Sequence, residues 1–157
     1  QIKSDMNMVK LVENGFSYIN VIREIRKFTD LPIKIKHHPT RHDGWNEFAR
    51  RASQGGKNIS EIDKNMPIND AIKNAKVVVI ANSNCGVDAI LAGKPVIALD
   101  EGSMVYDLAE HDFSKINNPP FPDRTQWCND VAYAQWNQDE IKSGKAWSHL
   151  KNYLCTK

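Results

Sequence analysis

The apolar run from Val77 to Ala81 constrains the fold of this chain more than any other stretch. It is rich in β-branched residues, which is typical of a strand covered on both faces in a parallel sheet. The run leads into the polar loop Asn82 to Asn84, and a short helix is predicted from Gly86 to Ala92. Because ligands bind beyond the carboxyl ends of strands in α/β sheets, this loop is the first candidate for a site.

Other segments have the periodicity of helices or strands. Apolar residues at three-residue steps from Phe16 to Phe28 predict an amphipathic helix, and alternation from Leu31 to Lys36 predicts a half-buried strand. Further helices are expected at Trp45–Ala52 and Pro67–Ala75, and further strands at Asn58–Ile62 and Pro95–Leu99. The alternation of strands and helices predicts an α/β fold with a doubly wound, Rossmann-like parallel sheet flanked by helices.

The last part of the chain predicts a connector and a helical tail. Residues 112–124 contain three prolines, which deny the segment regular hydrogen bonding. Residues 125–157 predict one or two helices whose tryptophans are packing anchors rather than base-stacking platforms. We therefore expect an α/β domain over residues 1–111, a connector over 112–124, and a tail over 125–157 that packs on the same domain.

Composition argues against several classes of protein. The net charge of +2 is too small to predict a nucleic-acid partner, and no stretch approaches the roughly 20 apolar residues of a membrane helix. The three cysteines are widely spaced, which argues against a disulfide framework or a metal site and favours a cytoplasmic location. Because the chain opens on Gln1 rather than Met, we expect a fragment of a longer protein.

The loop and the start of the next helix supply four candidate site residues. Ser83 and Asn84 are predicted to donate hydrogen bonds to a phosphate, and Gly86 to let the backbone approach it closely. Simple capping of the helix by Ser or Asn explains the same pattern equally well. Asp88 is placed to accept hydrogen bonds from a ribose diol, although complementing the helix dipole is the commoner role.

A second group of candidates follows the strand Leu31 to Lys36. Pro39 favours an extended conformation for His38, which is predicted to hydrogen-bond a phosphate or to serve acid/base chemistry at the sheet edge. Arg41 is a second predicted phosphate ligand, with ordinary solvent exposure as the alternative. Residues 100–103 follow another strand at the same edge, where a catalytic contact or a contact with a sugar hydroxyl is expected, although their spacing matches no specific motif. The pattern around His111 indicates no role.

Several of these stretches together resemble the C-terminal half of GT-B type glycosyltransferases, and most closely the capsule polysaccharide synthesis and export family. The stretches are Ile35-Lys36-His37-His38-Pro39, Pro67 to Ala75, Val77 to Ala81, Ser83-Asn84-x-Gly86-x-Asp88-Ala89 and Gly93-Lys94-Pro95-Val96. The family has a His-Pro motif after one strand and a Ser-x-x-Gly-x-Glu-Ala-Leu-x-x-Gly-Lys-Pro-Val stretch around the next helix. The tail around residues 134–147 is similar to uncharacterised phage proteins.

The resemblance implies a domain that binds a nucleotide-sugar donor, UDP-, GDP- or CMP-linked, for transfer of the sugar to a glycan-like acceptor. His38 and Ser83 would contact the phosphates, and Asp88 would stand where the family has a ribose-binding Glu. The donor is a substrate, so no cofactor is expected, and the acceptor side would come from a missing N-terminal domain of the same protein. A UDP-sugar epimerase relative and a non-catalytic nucleotide-binding or assembly module remain as alternatives.

Overall fold

The computed structural model describes residues 17–37, 58–63 and 65–154, apart from the side chains of residues 153 and 154. The predicted helix at Trp45–Ala52 lies outside these residues. The described α-helices are α1 (Tyr18–Arg26), α2 (Ile68–Lys73), α3 (Cys85–Leu91), α4 (Thr125–Ala134), α5 (Gln138–Lys142) and α6 (Lys145–Leu154), and two short 3-10 helices span Tyr106–Leu108 and Phe113–Lys115. The described strands are β1 (Ile33–Ile35), β2 (Ile59–Glu61), β3 (Val78–Ile80) and β4 (Val96–Ala98). The chain divides into two compact units, Gln1–Pro122 and Asp123–Lys157.

The described strands form two parallel pairs. β1 pairs with β2 so that Ile33 lies opposite Ile59, and β3 pairs with β4 so that Val78 lies opposite Val96. On the far side of β4, Glu110 forms a single parallel bridge with Ile97. The predicted α/β class and the parallel pairing of strands are therefore confirmed, as two small two-stranded sheets.

The core of the first unit brings together residues that are far apart in the sequence. Ile25 of α1 packs with Ile97 of β4 and with Ile116, and all three are at least 95% buried. Burying a side chain of this size stabilises a fold by about 1.5–3 kcal/mol. The three-residue spacing that predicted α1 is confirmed, because Ile22 and Ile25 are its buried residues.

Strand β3 differs from its prediction as a strand covered on both faces. Ile80 is buried, but Val78 and Val79 are only half-buried. Both valines line an apolar cavity of about 780 Å³ that is also bordered by α1, β1 and α2. Uniform apolarity predicts burial of a strand but carries no information about how completely its neighbours close over it.

Up to residue 154, where the described residues end, the second unit contains three short helices where one or two were predicted. Asn137 accepts a hydrogen bond from the Glu140 N–H, and the Glu140 side chain accepts one from the Asn137 N–H, which starts α5 as a separate helix. Gly144, at φ 77°, then separates α5 from α6. Trp147 is 59% exposed, so it is not a packing anchor within the second unit.

None of the described helices has the length and apolarity that crossing a bilayer requires.

Candidate functional site

The carboxyl ends of β3 and β4 are joined by a direct hydrogen bond. Asn82 follows β3, and its Nδ2 donates to Asp100 Oδ2 over 2.8 Å. The other carboxylate oxygen of Asp100 accepts from the backbone N–H of Gly102 at 3.1 Å. The loops after the two strands therefore form one surface at the edge where parallel α/β sheets bind ligands.

Ser83 and Asn84 lie on this edge, between β3 and α3. Ser83 is half-buried, and its Oγ accepts a long hydrogen bond of 3.4 Å from the Cys85 N–H. Asn84 is exposed, and its side chain makes no capping hydrogen bond to α3. The capping alternative is therefore not fulfilled by Asn84 and only weakly by Ser83. Their contact with a phosphate stays a prediction.

Gly86 has a packing role that the sequence did not indicate. A Cβ at this position would lie 2.5 Å from Ile80 Cδ1 and 2.9 Å from Val105 Cγ2, closer than real contacts allow. Its N–H donates to the Ser83 carbonyl at 2.9 Å. The missing side chain therefore lets α3 pack against the core, whether or not a ligand also approaches the backbone here.

Cys85 and Asp88 both lie in the first turn of α3. Asp88 lies half-buried in the first turn of α3, where its charge complements the helix dipole. Burial raises the pKa of the Cys85 thiol, and the neighbouring Asp88 carboxylate raises it further. Cys85 is therefore held as the neutral thiol, which is the poorly nucleophilic form.

His38 and Arg41 lie outside the described residues, so their predicted place at the edge is not tested. The preceding residue, His37, is described and buried at the end of β1. Its Nε2 lies 3.4 Å from Glu61 Oε2 at the end of β2. The first strand pair thus also carries a polar contact at its carboxyl end.

A further polar cluster, missed by sequence reasoning, lies beside β4. The Glu110 carboxylate accepts from Lys115 Nζ at 2.9 Å and from the backbone N–H groups of His111 and Asp112 at 2.8 and 3.0 Å. These hydrogen bonds, that from Lys115 first, lower the pKa of Glu110 to about 2. The partners of the Glu110 carboxylate all lie within five residues of it in the sequence, but the spacing of these residues matches no motif that would have identified the cluster.

His111 is held at this edge by its ring. Its Nδ1 lies 3.0 Å from the Ala98 carbonyl oxygen, and its ring stacks on Tyr106 with centroids 3.8 Å apart and an interplanar angle of 20°. Since a carbonyl only accepts hydrogen bonds, Nδ1 carries the proton in the neutral ring. The Nε2 lone pair is then available on an exposed residue.

Within the ranges given above, no group of three or more His, Cys, Asp or Glu side chains is arranged to hold a metal ion.

Comparison with known proteins matches the chain to a family model. No curated protein and no solved structure matches the chain. A family model described as "Capsule polysaccharide biosynthesis protein" matches residues 20–110, which is more than half of the 157 residues. The matched range extends from α1 to the bridge at Glu110 and includes the loops at the ends of β3 and β4. The chain belongs to the capsule polysaccharide biosynthesis protein family.

Proposed function

We propose that this chain is the nucleotide-sugar-binding part of a glycosyltransferase that adds a sugar to a glycan-like acceptor. Capsule polysaccharides are built from sugars, so membership of the family supports sugar transfer as the reaction class. The observation that carries the proposal is the hydrogen bond between Asn82 and Asp100, because it joins two strand-end loops into one surface at the ligand edge.

The proposed architecture is the C-terminal half of a GT-B enzyme with one doubly wound sheet in the order β2-β1-β3-β4. Two observations support this order. Ile33 of β1 and Val79 of β3 pack against the same apolar cluster as Ile97 of β4, and β1 and β3 border the same cavity. The parallel direction within both pairs is the direction that such a sheet requires.

In the proposed site, Ser83 and Asn84 donate hydrogen bonds to the diphosphate of the donor. The exposed Asn84 amide and the weakly engaged Ser83 hydroxyl support this assignment. Asp88 contacts the ribose, with a reach one methylene shorter than that of the Glu typical of the family. His38 and Arg41 supply positive potential toward the same phosphates.

The proposed chemistry is transfer of the sugar with electrostatic stabilisation of the departing diphosphate. Hydrogen-bond donors fixed at the edge lower the energy of the charge that develops on the leaving group. The acceptor and its base come from an N-terminal domain of the same protein. The donor is a substrate, so the proposal requires no cofactor.

Isothermal titration calorimetry with UDP-, GDP- and CMP-sugars tests the proposal. We expect one class of donor to bind, and Ser83→Ala to weaken it about 10- to 100-fold, since a hydrogen bond to a charged group is worth roughly 1.5–3 kcal/mol. Asn118→Ala, which changes an exposed residue outside the edge loops, is the matched control. Binding that Ser83→Ala leaves unchanged argues against the proposed phosphate contact.

A non-catalytic nucleotide-binding or assembly module is the second candidate. Three acidic residues, Asp88, Asp100 and Glu101, lie on or beside the edge loops. Their negative charge lowers the affinity of this edge for the diphosphate of a sugar donor, which favours a role other than sugar transfer. Product analysis on the full-length protein separates the candidates. Transfer yields a glycosylated acceptor, epimerisation yields an altered donor, and a binding module leaves the donor unchanged.

A further inference from the structure

His111 carries an inference beyond the donor site assigned above. It is exposed, yet three contacts fix its position. The ring Nδ1–H donates to the Ala98 carbonyl, the ring stacks on Tyr106, and the backbone N–H donates to the Glu110 carboxylate. Exposed side chains are normally left to rotate, because fixing them costs conformational entropy. An imidazole oriented in this way is typical of histidines that act on a ligand.

The hydrogen bonds around His111 also explain why the parallel pairing with β4 ends at Glu110. In a regular parallel ladder the next rung after the Ile97–Glu110 bridge joins the Asp112 N–H to the Ala98 carbonyl. Here the Asp112 N–H donates to the Glu110 carboxylate instead, and the Nδ1–H of the His111 ring donates to the Ala98 carbonyl. The imidazole therefore replaces a backbone rung at the carboxyl end of β4.

This location places His111 at the same edge as the donor site. The chain at Glu110 runs parallel to β4, so His111, which follows Glu110, lies at the carboxyl end of β4, as Leu99 and Asp100 do. The Nδ1 proton is committed to Ala98, so the neutral ring presents Nε2 as a hydrogen-bond acceptor. A group that donates a hydrogen bond is therefore the chemical match for Nε2.

The hydrogen-bonding capacity of Nε2 decides which part of a donor fits. In the neutral ring Nε2 accepts a hydrogen bond, and an ionised phosphate oxygen has no proton to donate to it, whereas the hydroxyls of the ribose and of the sugar do. The Glu110 carboxylate, which accepts from the His111 backbone N–H, is paired with Lys115 at 2.9 Å. A hydroxyl is therefore the chemical match for Nε2, and an ionised phosphate is not.

We propose that His111 is a substrate-contacting residue whose Nε2 accepts a hydrogen bond from a hydroxyl of the donor, either on its ribose or on its sugar. The inference rests on the proposed donor site and extends it from the loop at Ser83 to the far side of β4. It assigns the hydroxyl-bearing part of the donor, rather than its diphosphate, to the neighbourhood of His111.

The direct test is ¹⁵N NMR of the His111 imidazole in the full chain. The free protein is expected to give the pattern of a ring protonated on Nδ1. Addition of the nucleotide sugar that binds in calorimetry is expected to shift the Nε2 resonance. A shift with both the nucleoside diphosphate and the nucleotide sugar assigns the ribose hydroxyl, and a shift with the nucleotide sugar alone assigns the sugar hydroxyl.

A variant pair supplies the second readout. Asn in His111→Asn retains a donor for the Ala98 carbonyl but has no group at the position of Nε2. It also loses the stacking on Tyr106, so the melting temperature should fall slightly. We expect donor affinity to fall about three- to tenfold, as for the loss of one neutral hydrogen bond. His149→Asn, in the second unit, is the control and should leave affinity unchanged.

The outcomes separate this inference from the donor-site proposal. Donor binding that depends on Ser83 but is unaffected by His111→Asn, with an unmoved Nε2 resonance, overturns the role of His111 and leaves the donor site standing. Failure of every donor to bind the wild-type chain overturns both. If His111→Asn does not fold, the Nε2 resonance of the wild-type protein decides alone.

Discussion

Asn82 Nδ2 and Asp100 Oδ2, 18 residues apart in the chain, lie 2.8 Å apart and connect the loop after β3 to the loop after β4. The bond is part-buried, and Asp100 is held in place by a second bond from the Gly102 N–H. The relationship matters for function because it fixes two loops that no local pattern places together. Its strength is therefore the first quantity to measure.

Removing the amide of Asn82 should destabilise the first unit. We expect Asn82→Ala to cost about 1.5–3 kcal/mol, the range for a hydrogen bond to a charged group. Asn82→Asp should cost more, because it sets two carboxylates against each other. The double variant Asn82→Asp with Asp100→Asn exchanges donor and acceptor and should recover much of the loss. Urea unfolding measures these three variants and Asp100→Asn alone, and a double-variant cost equal to the sum of the two single costs would contradict the pairing.

Gly86→Ala should destabilise the fold without any ligand present. The added methyl group would meet Ile80 Cδ1 at 2.5 Å and Val105 Cγ2 at 2.9 Å. Overpacking of this kind costs about 1–3 kcal/mol. Combining Gly86→Ala with Ile80→Val removes one of the colliding atoms, so thermal unfolding should find the double variant less destabilised than the sum of the two single changes. A neutral Gly86→Ala would show that α3 moves freely relative to the core.

The Glu110 carboxylate should make the folding stability of the first unit depend on pH. Hydrogen bonds from Lys115 and two backbone N–H groups hold its pKa at about 2, below the ordinary value of 4.5. The folded state therefore favours the ionised form, so this stabilisation is complete above pH 4.5 and is lost as the pH falls toward 2. Glu110→Gln should lower stability at pH 7 and flatten its dependence on pH in that window.

Urea midpoints at pH 7, 4.5 and 3 measure this dependence as the difference between wild type and variant. Asp107→Asn is the control, because Asp107 is exposed and its side chain makes no hydrogen bond within the described residues. An equal pH dependence in wild type and Glu110→Gln would mean that the Lys115 contact contributes nothing in solution.

Local periodicity predicted much of the first unit. The three-residue spacing located α1, with Ile22 and Ile25 on its buried face, and the β-branched run located β3. The Asn137-x-x-Glu140 pattern is a helix-start signal that would have predicted the separate helix α5. Such features depend on neighbours in the sequence, which is why they can be read from it.

The partners across the fold were not predictable in the same way. The bond from Asn82 to Asp100 and the packing of Gly86 against Val105 both depend on the register of β3 against β4. The orientation of His111 depends on a single bridge between Ile97 and Glu110. A single sequence carries no signal for such pairings, so candidate residues in loops were found only where they followed an apolar strand.

The most direct test of the donor site is to map backbone amide shifts by ¹H–¹⁵N NMR while titrating the chain with the nucleotide sugar that calorimetry selects. We expect the amides of Asn82 to Gly86 and of Asp100 to Gly102 to shift together and to saturate with one dissociation constant. Shifts confined to residues 125–154, or to only one of the two loops, would contradict a donor site built across the ends of β3 and β4.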